Sequence, residues 1–375
     1  MEPVALKTSP LIGIVGSAGA YGRWLRAFFE TTMGLAVIGH DPTDATSHST
    51  EDLLEHADVL LFSAPIRHTP ALIERYVAQS AGRETGNLWL DITSVKVAPV
   101  AAMLHSKADV VGLHPMTAPP KSPTLRGRVM VVCEARLTHW KPWLDTLLAA
   151  LDAECVPATT EQHDRAMALV QALVHAGHLS QAGVLNAPEM WAGSLASLLP
   201  FRSASFEMDV AIAARMLSLN PAIYEDIQFG NPHVPGVLQA VATRMQRIAD
   251  LVRDGSDAAR TAFRDEFLHA NQEGFGESVL AAGNYTFERL GYLLADLHDP
   301  HSMSIHLPED RPGSLCELLH IFERHDVSIA SLHSSRTPAG EVHFRLGFNR
   351  GTRPEQLVAV EVALHASGVG RVLMG

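Results

Sequence analysis

The segment Leu11-Ile12-Gly13-Ile14-Val15-Gly16-Ser17-Ala18-Gly19-Ala20-Tyr21-Gly22 decides the fold. A short apolar run, Leu11–Val15, ends in glycines, and an amphipathic helix pattern follows through Trp24, Leu25, Phe28 and Phe29. A strand that turns sharply into a helix presents backbone N–H groups at the helix N-terminus, a geometry suited to a pyrophosphate. The spacing is GxxGxxG, because Ser17 takes the place of the first glycine of the strict GxGxxG pattern. Alone, such a loop is equally a plain turn. The next strand, however, ends in Gly39-His40-Asp41, 19 residues beyond Gly22. An acid there accepts hydrogen bonds from a ribose 2′-OH and repels a 2′-phosphate. No Arg or Lys follows Asp41 closely, so NAD is expected rather than NADP. The expected cofactor contacts are Gly16, Ser17, Gly19, Ala20, Tyr21, Gly22, Asp41 and Pro65, the last just after the strand Val59–Phe62.

Outward from this loop, Leu35–Ile38, Val59–Phe62, Leu88–Ile92, Val110–Leu113 and Val129–Cys133 are further short, strand-like runs, with helical patterns between several of them. That alternation predicts an α/β Rossmann-type domain with a mostly parallel sheet over residues 1–158. From 159 to 298 no convincing strand occurs. Thr159 and Gln162 have capping-box spacing, and a long apolar helix pattern follows through Met167, Val170, Leu173 and Val174. An all-helical dimerisation domain is expected, because such apolar helices need a partner surface, giving a homodimer. His298-Asp299-Pro300-His301 reads as a linker. Residues 299–375 then return to period-two alternation, in the order βαββαβ, a ferredoxin-like unit.

The whole chain has 375 residues and a net charge of −12. That balance argues against a nucleic-acid or general polyanion binder. Cys133, Cys155 and Cys316 are isolated, with neither disulfide nor zinc spacing, which fits a reducing cytoplasm. The start MEPVALKTSPLIGIVG lacks a signal-peptide layout, and no apolar run is long enough to span a membrane. The 20 histidines invite thoughts of metal. His163, His175 and His178 fall on one helical stretch with no carboxylate or Cys in ligand spacing, so no metal is expected.

In an open α/β sheet, ligands sit at the carboxyl ends of the strands. Ser94 and Lys96 follow one strand in Asp91-Ile92-Thr93-Ser94-Val95-Lys96, and His114 follows another in Gly112-Leu113-His114-Pro115-Met116. With Val15–Arg23, these segments resemble the prephenate dehydrogenase family and its arogenate-using relatives. So do Gln162-His163-Asp164-Arg165-Ala166-Met167, Gln171–His175, Ala214–Leu217 and Asn220–Ile227. The resemblance covers roughly residues 10–295. It implies NAD-dependent oxidative decarboxylation of prephenate to 4-hydroxyphenylpyruvate in tyrosine biosynthesis. It also implies that His114 takes the ring-hydroxyl proton, that Ser94 orients the hydroxyl and the nicotinamide, and that Arg215 binds a substrate carboxylate, with Lys96 and His175 as supporting contacts. Thr117-Ala118-Pro119-Pro120-Lys121 departs from the Gly-containing loop common in the family. Arogenate as substrate and a non-catalytic NAD sensor are the alternatives.

Asp310-Arg311-Pro312-Gly313-Ser314-Leu315 and His333-Ser334-Ser335-Arg336-Thr337-Pro338 resemble the ACT domain, an amino-acid-sensing module. The resemblance implies a tyrosine effector held near Gly313, Ser314, Leu315, Ser335 and Arg336, or a module that only dimerises. Gly313 allows close approach of a ligand.

Overall fold

The computed structural model describes residues 9–120, 122–298, 301–308, 311–336 and 342–373. The chain divides into two compact units, Met1–Asp250 and Leu251–Gly375.

The first unit is built on seven strands: β1 (Ile12–Val15), β2 (Val37–His40), β3 (Val59–Phe62), β4 (Leu88–Asp91), β5 (Asp109–Pro115), β6 (Val129–Arg136) and β7 (Glu154–Pro157). Their order is β2-β1-β3-β4-β5-β6-β7. β1 to β5 run parallel, β6 is antiparallel to β5, and β7 is parallel to β6. Helices α1 (Ala20–Ala27), α2 (Thr50–His56), α3 (Thr69–Ser80), α4 (Val97–Met103) and α5 (Lys141–Leu151) connect them.

The central strands are continuous apolar runs because both faces of the sheet are covered. Side chains alternate between two cores. Val59 and Leu61 join Ile12, Ile14 and Phe28 on one face, while Leu60 and Phe62 join Val15, Tyr76 and Trp89 on the other. β7 was not foreseen in the sequence: it is an exposed strand at the sheet edge, and its Glu154 and Pro157 give it no core-facing pattern. After β1 the chain lays β2 on one side and β3 on the other. The strand order therefore reverses between β1 and β3, where a ligand crevice is expected at the carboxyl ends.

Helices follow from residue 160: α6 (Thr160–Met167), α7 (Val174–Leu185), α8 (Leu195–Leu198), α9 (Ala204–Ser218), α10 (Pro221–Gly230) and α11 (Val234–Asp254). The Thr159/Gln162 capping box starts α6 as the spacing requires. A π turn, Ala168–Leu173, joins α6 to α7.

The second unit contains α12 (Asp257–Phe263) and α13 (Ala270–His298), the latter interrupted at Gly276, whose φ is 73°. Then come β8 (Ser302–Leu307), α14 (Ser314–Arg324), β9 (Ile329–Arg336), β10 (Val342–Phe348), α15 (Pro354–Ser367) and β11 (Arg371–Leu373). The antiparallel order β11-β8-β10-β9 encloses Ile305, Leu318, Phe322, Leu346, Val360 and Leu364. The βαββαβ order is thus as the alternation predicts. Asp299-Pro300 of the expected linker, Asp310, and Thr337-Pro338 lie outside the described residues. Among the described residues no helix is long and apolar enough to cross a membrane.

Candidate active site

The loop after β1 is shaped by close approach. Gly16 has φ 84°, and a Cβ there would lie 2.4 Å from the Ser63 carbonyl oxygen at the end of β3. A Cβ on Gly22 would lie 2.2 Å from the Gly16 carbonyl oxygen, so the first turn of α1 sits directly on the loop. Ser17, in the place of the pattern's first glycine, is buried against β2: a Cβ on Gly39 would lie 2.5 Å from the Ser17 Cβ. Asp41 directly follows β2. Its Oδ2 accepts the Ala18 N–H at 3.1 Å, and its Oδ1 accepts the N–H and hydroxyl of Thr43. Burial pushes the carboxyl up, but the hydrogen bonds from Thr43 and Ala18 outweigh it and hold it below the ordinary value. The ionised carboxylate keeps acceptor capacity on Oδ2 beside the loop. Pro65 starts the 3₁₀ turn Ile66–His68 beyond β3, across the β1/β3 crevice. A dinucleotide fits this cradle: tight glycine contacts, a helix N-terminus and an acid at the end of the second strand.

Two residues depart from the simplest reading of the loop. Tyr21 donates its hydroxyl to the Thr117 carbonyl, and Trp24 Nε1 donates to Ser122 O at 3.0 Å. α1 is thereby tied to the segment after His114. Arg23, to which no role was given, donates to the Ala18 carbonyl and stands exposed at the loop; its signal was its place directly after Gly22.

His114 lies within β5, one residue before the strand ends, and is buried. Burial first, with the charge of Lys96 added, presses its imidazole well below its ordinary value, so it is neutral at physiological pH. Its Nδ1 is 2.8 Å from His163 Nε2, and His163 Nδ1 is 2.7 Å from Asp164 Oδ1. Asp164 also accepts the backbone N–H groups of Lys96 at 2.7 Å and Val97 at 2.9 Å. Asn231 Nδ2 donates to the Asp164 carbonyl at 2.6 Å. The sequence gives neither His163 nor Asp164 a place in the site, although both stand in the segment Gln162–Met167.

Lys96 corrects an expectation. Its side chain is fully buried, with Nζ paired to Asp91 and donating to Leu113 O at 2.8 Å. A substrate carboxylate has no surface of this ammonium to touch, so Lys96 supports the end of β5 from beneath. Ser94 is half-buried beyond β4. His175 is half-buried on α7, its ring edge-on to Tyr224 at 4.9 Å, with a buried Nδ1 that has no hydrogen-bond partner among the described residues. Arg215 is exposed on α9, which packs against α7. Arg67, at the end of the β3 loop, donates its backbone N–H to Asp226 at 3.1 Å and pairs with Glu225 at 2.9 Å, fastening α10 to the sheet. No group of His, Cys, Asp and Glu suited to a metal occurs among the described residues.

In the second unit, Gly313 has φ 97° and precedes α14, Ser314 is buried, and Leu315 is partly exposed. Ser335, on β9, lies 2.9 Å from His343 Nδ1 on β10. Arg336 ends β9, its backbone paired with Val342.

Residues 159–265 match the family described as "Prephenate dehydrogenase, dimerization domain". The chain is 25% identical over 264 residues to a probable arogenate/prephenate dehydrogenase of Methanocaldococcus jannaschii, covering 66% of this chain and 58% of that protein. It is 28% identical over 254 residues to the T-protein of Enterobacter agglomerans, covering 66% of this chain and 63% of the relative. The chain therefore spans less than two thirds of these two relatives. The crystal structure of prephenate dehydrogenase from A. aeolicus in complex with hydroxyphenyl propionate and NAD+ shares the fold, with a TM-score of 0.54 at 16% identity, over 70% of this chain and 97% of that one. The chain is thus similar to prephenate and arogenate dehydrogenases, and its helical segment matches the dimerization domain of that family.

Proposed function

We propose that the protein oxidatively decarboxylates prephenate to 4-hydroxyphenylpyruvate with NAD⁺. The observation that carries this is His114: a buried, neutral imidazole at the carboxyl end of β5, hydrogen-bonded from behind at 2.8 Å and therefore oriented. When bound, NAD⁺ supplies the hydride acceptor. Asp41 would hold the ribose and discriminate against a 2′-phosphate, and the loop Gly16–Gly22 would take the pyrophosphate. His114 takes the proton from the ring hydroxyl, which is general-base help worth about 10²–10⁴ in rate. Ser94 orients that hydroxyl. Arg215 offers a planar fork to a substrate carboxylate, and the partnerless Nδ1 of His175 is a second candidate contact. Loss of the ring carboxylate as CO₂ is driven by aromatisation and needs no further protein group.

Arogenate is the second reading, because nothing around His175 and Arg215 selects a keto group over an amine. The test is NADH formation from each substrate, compared as kcat/KM and repeated with NADP⁺. Absence of turnover with both substrates would favour the non-catalytic sensor instead.

We also propose a homodimer. Apolar side chains stand exposed along the helices, among them Phe229 at 87%, Phe201 at 80% and Val252 at 69%. Large apolar side chains left this exposed point to an interaction surface. The βαββαβ module is read as an ACT domain that binds tyrosine and lowers activity, and the three free thiols fit a reducing cytoplasm.

A further inference from the structure

We propose that His163 and Asp164 are positioning residues that fix the tautomer of His114, leaving its Nε2 as the bare, basic nitrogen for the substrate hydroxyl; this rests on the dehydrogenase reading above. The argument is a count of protons along a buried chain. The His163 and Asp164 side chains have no exposed surface. Burial pushes the Asp164 carboxyl up. The hydrogen bonds from His163 and from the Lys96 and Val97 N–H groups outweigh it and hold the carboxyl below its ordinary value. An ionised carboxylate only accepts. His163 must therefore carry its proton on Nδ1, 2.7 Å from Asp164 Oδ1.

A neutral imidazole has one donor and one acceptor. With Nδ1 donating, His163 Nε2 is the acceptor, and it faces His114 Nδ1 at 2.8 Å. His114 then donates from Nδ1, and its Nε2 keeps the lone pair. The step balances without moving a proton along the chain. The hydroxyl O–H bond breaks and its proton goes to His114 Nε2, while the adjacent C–H leaves as hydride with its electron pair to NAD⁺. The Nδ1–H of the resulting imidazolium stays on His114 and remains hydrogen-bonded to His163 Nε2. The other titratable groups packed against the chain are Lys96, Asp91 and Cys133. None of them is hydrogen-bonded to either imidazole.

The experiment is ¹⁵N-histidine NMR of the whole protein, with His114 assigned by its loss in His114→Asn. His114 protonated on Nδ1 and bare on Nε2 is the expected result; an Nε2–H tautomer in the parent overturns the proposal. Kinetics supply the second reading. Asp164→Asn and His163→Leu should each lower kcat by about 10²–10⁴. NADH binding should stay within about threefold, and the acid limb of the kcat–pH profile should move to lower pH, because the imidazolium loses its acceptor or the carboxylate behind it. His163→Gln, whose Oε1 can accept from Nδ1, should recover about tenfold or more over His163→Leu. Loss of kcat with the acid limb unmoved would reduce both residues to structural ties and overturn the proposal. An Nδ1–H tautomer in a parent that oxidises neither prephenate nor arogenate would sustain the relay while removing the dehydrogenase reading.

Discussion

His114 and Lys96 sit one behind the other at the end of β5, and burial acts on both. For His114 the sign of the pH effect is fixed. Its folded value lies below its unfolded one, so the unfolded chain binds the extra proton and stability is lost as pH falls below about 6.5. Melting temperature measured from pH 7.5 to 5.5 should therefore decline, and His114→Asn should decline less steeply; parallel curves would count against a neutral buried imidazole. The same variant should lower kcat by about 10²–10⁴ with NADH affinity nearly intact, and turnover at the parental rate would remove His114 from the chemistry. Lys96→Met leaves the Asp91 carboxylate buried without its counter-charge, which should cost about 3–5 kcal/mol in urea unfolding. A change below about 1 kcal/mol would mean that other donors satisfy Asp91. The sequence made His114 legible, because a histidine before Pro115 at a strand end is a local signal. The depth of Lys96 was not: it depends on Gly112 of the neighbouring strand having no side chain, since a Cβ there would lie 2.9 Å from the Lys96 Cδ.

Among the elements, the first turn of α1 and the π turn show what a linear pattern reveals and what it hides. A glycine spacing announces a tight loop, and the structure supplies the reason in the 2.2 Å between a Gly22 Cβ and the Gly16 carbonyl oxygen. Both partners are backbone, so Gly22→Ala must displace the loop. NADH affinity should fall about tenfold or more, which is about 1.4 kcal/mol, and unchanged fluorescence titration would detach the loop from cofactor binding. The π turn has no such signature. Twelve residues of plain α-helix would set His175 about 120° from His163 around the axis. The wider turn at Ala168–Leu173 alters that rotation. A reading at 3.6 residues per turn therefore had no reason to group His163 with the site. β7 escaped notice for a related reason, since an edge strand with no buried face carries no alternation to read.

At the scale of the whole molecule, the α/β start, the helical middle and the βαββαβ end were each legible, because each has its own apolar period. Less legible was that the first compact unit continues through most of α11, to Asp250. Pairings distant in sequence hold it together, such as Arg67 with Asp226 and Asp164 with the start of α4. The assembly prediction is a solution mass of twice the 40.6 kDa chain, and a monomer by sedimentation would leave the exposed apolar helices unexplained. For regulation, tyrosine should lower activity in the full chain. Gly313→Val, at a φ of 97°, should raise the half-inhibitory concentration by about tenfold with basal kcat unchanged. Equal sensitivity of both proteins would place tyrosine in competition at the active site.

Ser17 and Gly39 carry a consequence for how this loop can change. A serine stands where the strict pattern has glycine, and its Cβ fills the space a side chain on β2 would need, 2.5 Å away. The two positions are epistatic: alanine is barred from position 39 while Ser17 is present, and admitted once it is glycine. The Arg26 guanidinium, also 2.5 Å from that point, is the flexible end of a side chain and imposes no comparable order. A mutational path from this loop to the strict GxGxxG form is open at the first step, through Ser17→Gly. A path that first enlarges Gly39 is closed.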